Sequence, residues 1–141
     1  MPNTPAIRFA ETGGPAVLQI TEAELAEPGP GQALVGVHAS GVNFIDTYHR
    51  SGLYPVDLPF IPGSEGAGIV EAVGADVTDV AVGDRVAWVG VPGSYAGRVL
   101  APTEALMPIP DGVSLKIAAA LPLQGMTCLL YTSDAADEVL G

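Results

Sequence analysis

Four polar side chains of different chemistry fall close together in this chain: the amide of Asn43, the carboxylates of Asp46 and Glu65, and the phenol of Tyr54. A carboxamide can donate a hydrogen bond to a carbonyl oxygen whose negative charge grows during a reaction. It can equally satisfy the backbone of a loop. A tyrosine offers an apolar ring with a polar tip, which suits a ligand face and also core packing. Asp46 either orients neighbouring donors or is a charge on a helix surface. Glu65 follows a glycine turn and is expected in a structural role, paired with a cation such as Arg85 or Arg50, because a buried carboxylate needs a partner. The single Cys128 excludes an internal disulfide and a thiolate zinc cluster, and His38 and His49 have no cysteine neighbours. No Ser/His/Asp or Cys/His set is present. His38 reads as a packed strand residue rather than an acid or base.

These residues sit in a chain of 141, enough for one domain with its own core. Charged residues make up 15% and hydrophobic ones 48%, the balance of a folding sequence. The 18 glycines and 13 prolines are scattered singly, which predicts short strands joined by tight turns rather than a linker. Mean hydropathy is +0.39, yet no apolar run approaches the roughly 18 residues that a membrane span needs. The segment from Met1 to Arg8 carries no basic stretch leading into an apolar one, so a soluble cytoplasmic protein is expected. A net charge of −11, with Lys116 the only lysine, opposes nucleic-acid binding.

Strands are expected over 5–10 and 15–22, joined by a Gly13-Gly14 turn, then over 32–42 with Leu34 toward a core. Asn43 to Gly52 fits a short helix closing at the glycine, with Phe44, Thr47 and Tyr48 on one face. Three prolines between Pro55 and Pro62 exclude regular structure. Further strands are expected over 66–73, 85–91 and 94–102, with Gly83-Asp84 as a β-turn and a stop at Pro108–Gly112. Helix follows from Ser114, because Ile117–Leu121 contains neither glycine nor proline. Trp88 and Tyr95 are expected in the core. About seven short strands with turns at this spacing predict a sandwich or barrel.

The order of segments resembles the quinone oxidoreductase (zeta-crystallin-like) branch of the medium-chain dehydrogenases/reductases. The resemblance rests on seven strings in order: Gly13-Gly14-Pro15 with Val17-Leu18, Gly41-Val42-Asn43-Phe44-Ile45-Asp46, Arg50–Pro55, Pro62-Gly63-Ser64-Glu65, Val82–Val86, Gly93–Ala96 and Leu123–Thr127. It implies an N-terminal GroES-like domain over residues 1–127, a mainly β, partly open barrel with short helices. In the zinc alcohol dehydrogenases that the segment also resembles, Cys stands at position 43 and His at 64. Asn43 and Ser64 are not soft zinc donors, so a zinc-free enzyme is implied.

By the same resemblance the activity is NAD(P)H:quinone reduction, with a quinone or another α,β-unsaturated carbonyl as substrate. The implied catalytic residues are Asn43 and Tyr54. The implied cofactor contacts are Asn43, Asp46, Tyr54 and Thr127, the last through its hydroxyl to the nicotinamide amide. NADPH is the implied cofactor, with NADH as the alternative, and a full-length relative is implied to be a homodimer. Gly41, Gly63, Gly66 and Gly68 would permit tight turns and close backbone approach. A related enone reductase and a non-catalytic binding domain remain rival readings.

Two departures stand out. No Gly-x-Gly-x-x-Gly follows Thr127, so neither a Rossmann domain nor cofactor-phosphate ligands are expected from these residues. Cys128–Glu138 does not resemble the family's continuation, and residues 128–141 are read as a non-family tail from truncation or read-through.

Overall fold

The structure, a computed structural model, describes residues 3–139, with side chains as far as Thr132. It has seven strands and three helices among the described residues: β1 Asn3–Arg8, β2 Gln19–Glu24, β3 Gln32–Ser40, α1 Phe44–Ser51, β4 Glu65–Val73, β5 Arg85–Val89, β6 Arg98–Pro102, β7 Leu106–Pro108, α2 Leu115–Ala120 and α3 Pro122–Val139. β1 and β2 form a two-stranded sheet. The other strands form an antiparallel sheet in the order β6-β3-β4-β5-β7. The chain is therefore mainly β with open sheets and short helices, as the sequence implies.

The alternation of side chains along each strand sets two layers. Val86 and Trp88 of β5 join Ala33, Val35, Val70, Val99 and Leu106 in the main cluster. Ala87, between them, faces the other way and packs with Ala67 against Ala118 and Ala119 of α2. Small residues on that side let a helix lie close to the sheet. Ser114 starts α2, its hydroxyl accepting from the Ile117 N–H at 3.3 Å. Trp88 is fully buried and gives its indole N–H to the Ser94 hydroxyl at 2.8 Å.

Two strand expectations shift. Pro15–Val17 forms a 3-10 turn, with the Leu18 N–H reaching the Pro15 carbonyl, so β2 begins only at Gln19. Proline at the first position favours that turn over an extended start. The strand expected over 94–102 is confined to Arg98–Pro102. The residues before it are used elsewhere: Ser94 and Tyr95 donate to Gly63 and Pro62, while the Tyr95 carbonyl accepts from Ile7 and Gly97 donates to Pro5. This segment joins the small sheet to the large one through the Ala6–Ala96 bridge. The short strand β7 carries no alternating pattern long enough to be read.

Ser94→Ala is expected to destabilise the domain by about 1–3 kcal/mol, because the Trp88 N–H would remain buried without an acceptor. Chemical denaturation checks this, and an unchanged midpoint would show that the indole finds another partner.

Candidate active site

Helix α1 is defined at both ends by its own sequence. Asn43 stands at the N-cap in an extended conformation, and Gly52 closes the helix in the left-handed region at φ 84°. Asp46, at the third helical position, accepts from the Asn43 backbone N–H at 2.9 Å, and an acidic group in the first turn also suits the helix dipole. Asp46 is 6% exposed and takes two further donors, the Gly63 N–H at 3.2 Å and the Tyr95 hydroxyl at 2.8 Å. It is a buried organiser of donors rather than a surface charge. Burial, and next the hydrogen bond and charge of Asp46, push the Tyr95 phenol well above its ordinary range, so it stays a donor. Gly63 has φ +91°, and a Cβ there would lie 2.5 Å from the Tyr95 ring. Glycine is required at that turn.

Glu65, at the first position of β4, is 1% exposed. One of its oxygens, Oε1, accepts from Asn43 Nδ2 at 2.9 Å. The other, Oε2, accepts from the Leu123 backbone N–H in the first turn of α3, also at 2.9 Å. The expected pairing with Arg85 or Arg50 does not occur. Arg85 donates to the Val113 carbonyl, and the Arg50 Nε is buried without a partner. Neutral donors that sit close in space satisfy Glu65, which a sequence search for cations misses. Gly41 makes room for it: a Cβ at that position would fall 2.3 Å from Glu65 Cγ and Oε1.

A cavity of about 180 Å³ lies beside these residues, lined by Asn43, Asp46, Thr47 and Arg50 of the helix region and by Leu18, Val42, Pro62 and Tyr95. Tyr54 does not line it. Its ring is half-exposed and packs edge-on against Tyr48, with centroids 5.3 Å apart, beyond the far end of α1. Its backbone N–H returns to the Tyr48 carbonyl at 3.2 Å, so Tyr54 folds back onto the second half of α1 instead of entering the cavity that Asn43 lines. Phe44 and Tyr48 do share a face, and it is exposed. Thr127 sits on exposed α3 and gives its proton to the Leu123 carbonyl at 2.8 Å, so as placed it is an acceptor, not the expected donor. His38 is exposed on β3 rather than packed. Trp88 is core, whereas Tyr95, expected there too, is partly buried and belongs to the site. The only sequence signal for Tyr95 was its place in Gly93–Ala96. Tyr48 was visible as a helix-face residue but not as the partner of Tyr54.

The alcohol dehydrogenase GroES-like domain family matches residues 29–111, more than half of the chain. The chain belongs to this family. Among curated relatives, this GroES-like domain is 51% identical over 123 residues to the quinone oxidoreductase of Pseudomonas aeruginosa, covering 86% of this chain and 38% of that protein. Among solved structures it is similar to the quinone oxidoreductase of Pseudomonas syringae pv. tomato, with a TM-score of 0.85, 48% identity, and coverage of 88% of this chain and 39% of the other. It is also similar to the Escherichia coli quinone oxidoreductase complexed with NADPH, with a TM-score of 0.85, 41% identity, and coverage of 87% and 38%. The GroES-like domain thus spans well under half the length of the relatives it matches.

The Tyr95–Asp46 bond has an alkaline signature. Tyr95 should ionise only well above the ordinary phenol range, followed by tyrosinate absorbance, and Asp46→Asn should bring it part of the way back. Because its pKa is raised on folding, its contribution to stability is complete below pH ~10 and is lost as pH climbs above that. A stability curve flat through this range would contradict the assignment.

Proposed function

We propose that this GroES-like domain is the substrate-facing part of an NADPH:quinone oxidoreductase that works without zinc. The observation that carries the reading is the amide of Asn43, held by a buried carboxylate on one side and lining a small, largely apolar cavity on the other. A nicotinamide cofactor, when bound, would supply the hydride that reduces the quinone. Asn43 then offers its second N–H to the carbonyl oxygen on which negative charge develops. Leu18, Val42 and Pro62 provide apolar walls for a ring. Tyr54 would help to hold the cofactor, and Asp46 keeps the Asn43 backbone in place. The quinol anion takes its proton from water, so no strong general acid is needed. A quinone fits this chemistry, as does another α,β-unsaturated carbonyl.

Donor chemistry supports the zinc-free part. An Asn43 N–H is committed to Glu65, Ser64 offers a hydroxyl, and no group of three His, Cys, Asp or Glu gathers among the described residues. None of this matches the donor set zinc prefers. NADPH is the cofactor of this reading on the strength of the E. coli relative solved with it, and NADH would serve the same chemistry. Its phosphates need cations from outside these residues, since Lys116 is the only lysine. No described helix is long and apolar enough to cross a membrane, and a cytoplasmic enzyme is part of this reading. The longer protein is a homodimer in this reading. The family portion ends near residue 127 and residues 128–141 are foreign to it. α3 runs unbroken across that point, and part of the tail lies outside the described side chains.

The test is a chimera in which residues 1–127 replace the matching part of the P. aeruginosa quinone oxidoreductase. It should oxidise NADPH with 1,4-benzoquinone, and a chelator should leave the rate unchanged. Asn43→Ala should lower kcat by about 10²-fold, the scale of a lost oxyanion donor. A folded but inactive chimera, or one silenced by chelation, would overturn the proposal.

A further inference from the structure

We infer that Glu65 is a positioning residue: its carboxylate fixes which way the Asn43 amide faces and ties that orientation to the first turn of α3. This rests on the reading of Asn43 as the group beside the reacting carbonyl. An asparagine side chain has a donor end and an acceptor end of nearly the same shape, and only its partners decide between them. A carboxylate that accepts on both oxygens tolerates only donors. Glu65 therefore turns the Nδ2 end of Asn43 inward, leaving one N–H and Oδ1 for whatever occupies the cavity.

Rotated by half a turn, the amide would present Oδ1 to Glu65, oxygen against oxygen at hydrogen-bond distance. That state is excluded while the carboxylate is in place. Without it, the cavity could meet an acceptor where a developing oxyanion needs a donor.

The second oxygen makes the arrangement a clamp. Glu65 Oε2 holds the Leu123 N–H, one of the N–H groups that a helix start leaves without an internal partner, and a negative group at that end suits the helix dipole. The side chain is shut from water and occupies the space that the missing Cβ of Gly41 leaves. A shift of the α3 start would move the carboxylate, and with it the amide. Meanwhile Asp46 pins the Asn43 backbone N–H independently, so the side chain can be released without unfolding the N-cap.

Glu65→Gln tests this, because it keeps the shape but replaces one acceptor with a donor. In the 15N-labelled 141-residue chain, the Asn43 side-chain signals are assigned by their loss in Asn43→Ala. In Glu65→Gln these signals should move, or the Leu123 amide should exchange with solvent at least about tenfold faster, as the loss of a hydrogen bond to a charged group requires. Other amides should remain dispersed. Glu65→Asp, which keeps the charge but shortens the reach, is the companion should the first variant unfold, and it should release one of the two donors. If neither donor responds in a folded variant, the clamp does not exist.

In the chimera, Glu65→Gln should lower kcat roughly ten- to a hundredfold, as loss of an orienting partner does, with the quinone KM nearly unchanged. A rise in KM with kcat intact would overturn the positioning role. An inactive parent chimera would count against the reductase reading alone, and the spectra of the 141-residue chain would still decide the clamp.

Discussion

Two buried carboxylates, each satisfied by neutral donors, hold the functional end of this domain together. An ionised carboxylate taken out of water costs several kcal/mol unless its lone pairs are used. Asp46 uses three donors from α1, the Gly63 turn and Tyr95. Glu65 uses two, from Asn43 and the start of α3. Each such bond contributes about 1.5–3 kcal/mol. Because the donors come from segments distant in the chain, satisfying the charges also fixes where those segments lie. Asn43 touches both carboxylates, one by its backbone and the other by its side chain.

That constraint accounts for much of the surrounding sequence. Gly41 is empty space for Glu65, and Gly63 is both a left-handed turn and empty space for the Tyr95 ring. The segment 94–97 bonds residues 62–63 and β1, which delivers Tyr95 to Asp46, and its backbone reaches the large sheet through the Gly97 carbonyl, which accepts from Val37 of β3. The five-stranded sheet supplies the rigid frame. β4 begins at Glu65 and is hydrogen-bonded on both sides, to β3 and β5, so the clamp starts from the middle of the sheet.

The electrostatics also explain how a chain of net charge −11 manages a polar site with few cations. Among the described residues the one salt bridge is Arg98–Glu71, at the surface and therefore of little consequence for stability. The interior charges are balanced by backbone and side-chain N–H and O–H groups instead. Such donors are directional, so they orient as well as neutralise, which a flexible cation would do less well.

The sequence alone determined the features that depend on local pattern. The span of α1 and its stop at Gly52 follow from local pattern, and strands β3 to β5 follow from their apolar runs and turns. The ordered strings from Gly13 to Thr127 led to the family. Expectations failed where a residue's partner is remote. Glu65 was assigned an arginine because charge is visible in a sequence, whereas the Leu123 N–H, 58 residues away, carries no letter of its own. Tyr95 looked like core because nothing local ties it to Asp46. Tyr54 and Asn43 looked like partners in one hollow because a separation of eleven positions does not show that the chain folds Tyr54 back onto Tyr48. Tertiary structure decided these pairings, since hydrogen bonds and steric gaps are settled by three-dimensional proximity and not by spacing along the chain.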